Sequence, residues 1–206
     1  MKLYFARHAE SEANVEQIIS NRGQEYGLTP EGYSQARTLA EQFVDVELAG
    51  IFCSPLRRAL ETAREVAELT GAPVAIADGL REVDCGILEG KGDEEAWHEL
   101  GKAFRQWLEF GHPEYAIPEG ENALQVQARF SALAQTIARA GGTGSYLFIS
   151  HGGTLRLGLP ALLAWLPAER FAGQFLDYGE YVLAEAVDGE FTCLEWRGEK
   201  INKEEI

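Results

Sequence analysis

Two histidines follow two short apolar segments in equivalent positions. His8 comes directly after residues 2–6 (KLYFA), and His151 follows residues 145–150 (SYLFIS). Both segments have the length and the apolar character of buried strands. Because ligands of open α/β sheets bind beyond the carboxyl ends of the strands, we expect both imidazoles at the same edge of one sheet. Either histidine alone could equally be a solvated or a packed residue, but the pair predicts a functional site.

Two arginines are predicted at the same edge, where they would attract an anion. Arg7 precedes His8, and Arg58 lies in the first turn of a helix predicted after residues 50–53 (GIFC). The first turn of a helix has free N–H groups and the positive end of the helix dipole. A guanidinium group matches two phosphate oxygens at once, which an ammonium group does not. We therefore predict that this edge binds a phosphate group.

Three further residues could bind a phosphate group or transfer protons during its reaction. Glu82 follows a third predicted strand, and its carboxyl group could protonate a leaving oxygen and later accept a proton from water. The amide of Asn14 could donate a hydrogen bond to a phosphate oxygen, and Gly152 lets the backbone come close to a ligand. Glu82 is one of 33 acidic residues, so its position rather than its type makes it a candidate.

The elements that must position these residues alternate between strands and helices. Helix starts are indicated by an N-cap oxygen followed by proline at Thr29-Pro30 and again at Ser54-Pro55. Further helices are predicted at residues 94–109 and 121–140, after His151, and a hairpin at about 180–197 turns at Asp188-Gly189.

This alternation predicts an α/β fold of three layers, α/β/α, with a mainly parallel central sheet and a C-terminal hairpin. Strands are predicted at residues 2–6, 50–53, 73–77 and 145–150. We interpret residues 1–206 as a single domain, with a small helical cap inserted at about 92–142.

Composition excludes several classes of partner. The formal net charge of −15 over 206 residues would repel nucleic acid and anionic membranes, and also a small anionic substrate unless a local cluster of cations overrides it. The three dispersed cysteines, Cys53, Cys85 and Cys193, suit neither a disulfide framework nor a metal site. The chain shows no signal peptide and no apolar run of the ~18 residues that a membrane span needs. We predict a cytoplasmic protein.

Five short motifs occur in order along the chain. They are residues 7–14 (RHAESEAN), 28–36 (LTPEGYSQA), 54–63 (SPLRRALETA), 80–82 (LRE) together with 86–90 (GILEG), and 150–153 (SHGG). In this order they resemble the histidine phosphatase superfamily, also called the phosphoglycerate mutase-like family, over most of the chain. The resemblance implies that His8 is the nucleophile and becomes phosphohistidine. It also implies that Arg7, Arg58 and His151 bind the phosphoryl oxygens.

The same resemblance implies that Glu82 donates the proton to the leaving group and that Asn14 supports the phosphate. It implies neither a metal nor a cofactor, since cationic side chains bind the phosphate. The chain departs from the family pattern at Ala9, where glycine is usual, and at Leu88, where many phosphatases have tryptophan. Residues 23–28 form a shorter loop than usual at the substrate mouth, for which the candidate residues are Arg22, Gly23 and Arg81.

Three functions fit these residues. A phosphatase would hydrolyse a small phosphorylated metabolite, whereas a mutase would pass the phosphoryl group to a bisphosphate intermediate and would need extra cations for a second anionic group. The predicted cap begins with acidic residues, Asp93 to Glu95, which favours the phosphatase. A catalytically inactive ligand-binding domain should lack at least one of five candidate catalytic residues. These are His8, Arg7, Arg58, Glu82 and His151, and none of them is missing. Sugar phosphates, phosphoglycolate-like acids, nucleotide-derived monophosphates and a ribazole phosphate all fit as substrates.

Overall fold

The computed structural model describes residues 1–140, 142, 144–166, 171 and 175–201. Within them, seven strands form one mixed sheet in the order β3-β2-β4-β1-β5-β6-β7. The strands are β1 (Lys2–Arg7), β2 (Leu48–Cys53), β3 (Val74–Ile76), β4 (Ser145–Ser150), β5 (Tyr181–Val187), β6 (Glu190–Trp196) and β7 (Glu199–Lys200). Strands β1 to β4 pair in parallel, and β5 to β7 add antiparallel pairs beyond β1. The predicted mainly parallel sheet is confirmed.

The helices cover both faces of this sheet. Those whose residues the structure describes throughout are α1 (Glu12–Val15), α2 (Pro30–Glu41), α3 (Arg57–Thr70), α4 (Glu94–Leu108), α5 (Ala123–Ala140) and α6 (Gly152–Leu162), with 3-10 turns at Asp78–Leu80 and Gly86–Leu88. The sequence did not predict α1 or either short turn.

The alternation of side chains along β1 explains the three layers. Phe5 packs in one buried cluster with Phe130 of α5 and Leu155 of α6. Its neighbour Tyr4 packs in a second cluster, with residues of α2 and α3 such as Leu39. Because successive residues of a strand point to opposite faces, the central strand contributes to both layers. The predicted α/β/α architecture is confirmed.

Two helix starts were predicted from the same signal, and only one is correct. At α2 the hydroxyl oxygen of Thr29 accepts a hydrogen bond from the backbone N–H of Gly32 at 2.9 Å, and Pro30 is the first helical residue. At α3 the prediction is wrong, because the N-cap is Leu56 and the helix begins at Arg57. The hydroxyl of Ser54 instead contacts His151.

The C-terminal hairpin turns where the sequence predicts it. Asp188 and Gly189 lie between β5 and β6 with φ angles of 52° and 85°. Both angles lie in the left-handed region that a tight two-residue hairpin turn of this type requires, and Asp-Gly tolerates it.

The helices of the predicted cap pack in different places. Residues of α4, including Leu100 and Trp107, form a third buried cluster with Val83 and Val126. The part of α5 from Phe130 onward instead packs against the sheet. The division of the chain into one domain with a cap at about 92–142 stays a prediction.

Candidate active site

Parallel pairing of β1 and β4 brings the two histidines together. The register matches Arg7 with Ser150, so that both strands end at the same level. The backbone N–H of His8 donates to the carbonyl of Ser150 at 2.9 Å. The centroids of the His8 and His151 rings lie 4.9 Å apart. The prediction that both imidazoles share one edge of the sheet is therefore confirmed.

The two ring nitrogens of His8 have different surroundings. Nδ1 lies 2.6 Å from the carbonyl oxygen of Ala9, an acceptor, so this nitrogen carries the proton. Nε2 then has the lone pair, and it accepts a hydrogen bond from Nε of Arg58 at 3.1 Å. Burial, followed by the charges of Arg58 and Arg7, holds the pKa of His8 well below its usual range. His8 is a neutral base whose free lone pair is on Nε2.

Arg58 and Arg7 are held by backbone carbonyls on either side of His8. Nη2 of Arg58 donates to the carbonyl of Ser20 at 2.8 Å, and Nη1 of Arg7 donates to the carbonyl of Leu176 at 2.8 Å. The Arg7 guanidinium also lies over the ring of Tyr178, 4.1 Å from its centroid. The buried Nε of Arg7 has no hydrogen-bond partner. Two fixed cations thus leave donor positions for an anion beside His8.

His151 is fully buried and is oriented by Ser54. Its Nε2 lies 2.7 Å from the hydroxyl of Ser54, whereas its buried Nδ1 has no partner. Burial first, and then the charges of Arg58 and of His8, lowers the pKa of His151 well below the ordinary value. A buried nitrogen without a partner is costly, and a phosphate oxygen could supply the missing contact.

The carboxylate of Glu82 is fixed by the N-terminus of α6. Its Oε1 accepts hydrogen bonds from the backbone N–H groups of Thr154 at 2.8 Å and Val83 at 2.9 Å. Its Oε2 accepts a longer bond from Gly153 at 3.2 Å. Oε1 therefore has the stronger contacts, and Oε2 is the oxygen better placed to exchange a proton with a ligand.

Asn14 and Ala9 belong to the loop that follows β1. Oδ1 of Asn14 accepts bonds from both the backbone N–H and the hydroxyl of Ser11, at 3.0 and 2.8 Å. Its amide nitrogen is then left for the cavity that the residue lines. Ala9 is fully buried against Leu28 and Ala36, and its φ is not positive. The methyl group at Ala9 is accommodated without the strain that a positive φ would cause.

Most of the polar side chains described above line one cavity of about 200 Å³ at the edge of the sheet. Its polar lining is formed by Arg7, His8, Arg58, Glu82 and Gly152. Its walls are Asn14 and apolar side chains from α4 and from the loop after α1, including Ile18, Trp97, Leu100 and Phe104. His151 lies behind His8. No group of three or more His, Cys, Asp or Glu residues is arranged to hold a metal ion in the part of the chain that the structure describes.

The three candidate mouth residues lie outside the wall of this cavity. The exposed guanidinium of Arg22 pairs with Asp84 at 2.8 Å, and that of Arg81 pairs with Asp78 at 2.9 Å. Gly23 is not among the lining residues either. Their role at a substrate mouth stays a prediction.

Aromatic residues of α4 divide between the cavity and the core. Trp107 is buried and donates from Nε1 to the carbonyl of Tyr115 at 2.7 Å. Trp97 is 41% exposed and lines the cavity, with its Nε1 bound to the carbonyl of Gln17 at 2.7 Å. Trp97 therefore contributes to the cavity wall, whereas Trp107 packs in the core.

Cys85 is buried and also lines the cavity. Burial first, and then the charges of Glu82 and Glu89, raises the pKa of its thiol. Because the thiolate is the nucleophilic form, the surroundings of Cys85 suppress its reactivity.

Several residues of the site were missed in the sequence. Arg129 of α5 donates to the carbonyls of Gly79 and Arg81 at 2.9 and 2.7 Å and so shapes the segment before Glu82. Thr154 follows the SHGG motif directly, and that position could have revealed it. Tyr178 and Arg129 have no local signal, because their partners are distant in sequence. Ser54 has a helix-start signal, which did not indicate its contact with His151.

Comparisons with known proteins agree with this geometry. A family model described as histidine phosphatase superfamily (branch 1) matches residues 3–198. "Putative phosphoserine phosphatase 2" of Hydrogenobacter thermophilus is 32% identical over 156 residues, which cover 75% of this chain and 74% of that protein. "Probable phosphoglycerate mutase GpmB" of an Enterobacter species is 31% identical over 173 residues, covering 78% and 77%.

Solved structures give the same result for the fold. Bacillus stearothermophilus YhfR superposes with a TM-score of 0.82 at 29% identity, and 98% of each chain is covered. The alpha-ribazole phosphatase from Shigella flexneri superposes with a TM-score of 0.79 at 27% identity, again over 98% of each chain.

Proposed function

The chain belongs to the histidine phosphatase superfamily, and from that premise we propose that it is a phosphatase that hydrolyses a small phosphomonoester through a phosphohistidine on His8. The observation that carries this proposal is the state of His8. Its Nδ1 is bonded to the carbonyl of Ala9, its Nε2 has the lone pair, and Arg58 lies 3.1 Å from that nitrogen. The named phosphatases among its relatives support the reaction class.

In the first step, Nε2 of His8 forms a bond to phosphorus while the bond between phosphorus and the leaving oxygen breaks. Arg7, Arg58 and His151 would hold the phosphoryl oxygens, and the Nε–H of Arg58 would turn from His8 to the phosphate. Little bond-making falls to the protein in phosphoryl transfer, so positioning and charge stabilisation dominate. Glu82 would give its proton to the leaving alkoxide, so that an alcohol departs.

In the second step, water attacks phosphorus and the bond to Nε2 breaks. Glu82, now a carboxylate, would take the proton from water. Phosphate is then released, and His8 and Glu82 return to their starting states. Asn14 and the backbone at Gly152 would support the phosphate throughout.

The test is phosphate release from a panel of phosphomonoesters by the intact protein and by two variants. We expect His8→Ala to lower kcat/KM by at least about a thousandfold, since nucleophile and leaving-group activation act as a unit. His112→Ala, which removes an exposed histidine, is the matched control and should change nothing. Undiminished release by His8→Ala would overturn the proposal.

A mutase is the second candidate, and the curated relatives named as phosphoglycerate mutases favour it. The two activities separate on 3-phosphoglycerate. The phosphatase proposal predicts phosphate release without formation of 2-phosphoglycerate. Isomer formation that depends strictly on a bisphosphate, with negligible hydrolysis, would establish the mutase instead.

The cellular compartment and the partner of the protein are also proposals. We place the protein in the cytoplasm with a small phosphorylated metabolite, not nucleic acid, as its partner. The net charge of −15 and the three buried cysteines, which are in no disulfide and so suit a reducing compartment, support this. No helix among the described residues is long and apolar enough to cross a membrane.

A further inference from the structure

The short segment 79–84, which contains Glu82, is fixed by side chains of other elements. We call it the Glu82 segment. Each of the backbone carbonyls of residues 79–82 accepts a hydrogen bond from such a side chain. One of these donors is the hydroxyl of Ser150 at the end of β4, which donates to the carbonyl of Leu80 at 2.8 Å. The other carbonyls share a single donor group.

That donor group is the guanidinium of Arg129 in α5. Its Nη1 donates to the carbonyls of Gly79 and Arg81, at 2.9 and 2.7 Å. Its Nη2 makes a longer contact of 3.4 Å with the carbonyl of Glu82. A guanidinium group spreads its N–H donors over one plane, whereas an ammonium group has all of its donors on a single atom. Arginine therefore suits a position from which several carbonyls must be bound at once.

Glu121 orients Arg129 and binds the far end of the Glu82 segment. Its Oε1 and Oε2 accept hydrogen bonds from Nε and Nη2 of Arg129, at 2.8 and 2.9 Å. Its Oε2 also accepts the backbone N–H of Asp84 at 3.0 Å. The side chains of Arg129 and Glu121 are 20% and 23% exposed, so water weakens this ion pair less than an exposed one. The pair thus binds backbone groups on both sides of Glu82.

Thr154 connects the ion pair to the carboxyl group of Glu82. Its hydroxyl donates to the carbonyl of Arg81 at 2.6 Å, and Nη2 of Arg129 lies 3.4 Å from the same hydroxyl oxygen. The backbone N–H of Thr154 donates to Oε1 of Glu82 at 2.8 Å. A displacement of the guanidinium would therefore disturb both the backbone of Glu82 and a contact of its carboxylate.

We propose that Arg129 is a positioning residue for proton transfer: by binding the Glu82 segment, it holds the carboxyl group of Glu82 where the leaving oxygen departs. Arg129 lies outside the wall of the cavity, so it acts through Glu82 and does not contact the substrate. Glu82 gives its proton to the leaving oxygen, while Arg129 keeps all of its own protons. This inference rests on the proposed function and adds the residue that sets the position of the proton donor.

Arg129→Lys separates the position of Glu82 from the charge of Arg129. Burial is the first cause of the lowered pKa of His151, and the charge of Arg129 is among the others. Lysine keeps that charge, but its single ammonium group cannot bind the carbonyls that the guanidinium spans. A loss of activity in this variant therefore reports the lost contacts with the Glu82 segment.

The readout is the dependence of kcat/KM on the leaving group. We expect Arg129→Lys to lower kcat/KM at least about tenfold for the best alkyl phosphate of the phosphomonoester panel, since displaced catalytic groups are costly. 4-Nitrophenyl phosphate, whose leaving group needs no proton, should lose less than about threefold. Arg139→Lys, the same change at an exposed position of α5, is the matched control and should alter neither value. Equal losses for the two substrates, or none, would overturn the inference.

Glu121→Gln keeps the inference testable if Arg129→Lys does not fold. The amide oxygen can still accept the backbone N–H of Asp84, but the neutral group no longer fixes Arg129 through charge-assisted hydrogen bonds. The loss for the alkyl phosphate should exceed the loss for 4-nitrophenyl phosphate by at least about threefold. A loss of equal size on both substrates would again reject the positioning role.

Hydrogen exchange distinguishes a failure of this inference from a failure of the proposed function. It is measured without substrate at the amides of Val83 and Thr154, which both donate to Oε1 of Glu82. Relative to the amides of β4, their exchange should be at least about threefold faster in Arg129→Lys and unchanged in Arg139→Lys. Unchanged exchange in Arg129→Lys would reject the positioning of Glu82 even if phosphate release is found. Faster exchange would support it even if no phosphomonoester is hydrolysed.

Discussion

Burial keeps two histidines neutral among arginines. His8 and His151 are 3% and 0% exposed, and for both of them burial is the largest cause of a lowered pKa. The charges of Arg58 and Arg7 act in the same direction. The arginines that would bind the phosphate thus also keep the proposed nucleophile unprotonated, so one cluster supplies both anion binding and an available lone pair.

This arrangement predicts how stability depends on pH. Unfolded histidines bind protons below about pH 6.5, whereas the folded protein resists protonation of His8 and His151 until a much lower pH. The two histidines therefore make their full contribution to the free energy of unfolding above pH 6.5. That free energy falls as the pH drops toward the lowered pKa values. Each histidine contributes about 1.4 kcal/mol per pH unit in that window.

Urea unfolding in phosphate-free buffer between about pH 7 and about pH 5 measures this slope. His8→Gln should reduce the slope by the contribution of one histidine. His112→Gln, at an exposed position, should not change it. Identical slopes for His8→Gln and the parent protein would refute the assignment of lowered pKa values.

From the sequence, a residue of this site can be predicted only where it follows a predicted strand or begins a predicted helix. His8, His151 and Arg58 follow strand ends or begin a helix, so the topology rule places them. The roles of Ser54 and Arg129 depend on contacts across 97 and 48 residues of the chain. Because a proline follows Ser54, the sequence predicts a helix N-cap at this residue. In the structure the hydroxyl of Ser54 contacts His151 instead.

The N-terminus of α6 is the element that joins the two halves of the site. It follows β4 and His151, and its first N–H groups hold the carboxylate of Glu82. N–H groups at the start of a helix have no partner within the helix. At α6 a carboxylate and the proposed phosphate site use them.

Gly153 allows this contact, and replacing it should disturb Glu82. A Cβ at Gly153 would lie 2.7 Å from Oε1 of Glu82 and 3.1 Å from the Phe104 ring. We expect Gly153→Ala to lower kcat for an alkyl phosphate by about tenfold or more, since small displacements of catalytic groups are costly. Nitrophenyl phosphate, whose leaving group needs no proton, should be affected less.

Gly101→Ala in α4 is the matched control. A Cβ there would meet only Arg105, at an ordinary 3.6 Å, and alanine favours a helix by about 1 kcal/mol over glycine. Both rates should be retained. Equal losses for the two substrates in Gly153→Ala would speak against a disturbed proton donor.

Elements were predicted well where a periodic pattern repeats and poorly where it does not. Strands β1, β2 and β4 and helix α2 have apolar patterns of sufficient length, whereas β3 has only three residues, all exposed. The four-residue helix α1 and the 3-10 turns near Glu82 are too short to repeat a pattern. Their positions depend on contacts such as the bonds from Ser11 to Asn14.

For the whole molecule, the local cations and the net charge act against each other. A charge of −15 repels a phosphate dianion at long range, while Arg7 and Arg58 attract it within the cavity. Salt screens distant charges over a length that falls from about 30 Å at 0.01 M to about 10 Å at 0.1 M, and screens buried groups less.

We therefore expect kcat/KM for a phosphate dianion to rise about two- to threefold between about 0.01 and about 0.1 M KCl. The value of kcat at saturation should stay constant, because repulsion acts on approach. Steady-state kinetics over this range measures both. A continuous fall in kcat/KM would mean that the cationic cluster dominates even at long range.

The most direct test of the proposed phosphohistidine mechanism is to trap the intermediate on His8. The protein is mixed with a phosphomonoester labelled in its phosphoryl group, quenched within a turnover under alkaline conditions, and digested for mass spectrometry. We expect one phosphoryl group, labile to acid, on the peptide that contains His8, and none in His8→Ala. Turnover in which His8 is never labelled, or label that persists in His8→Ala, would contradict it.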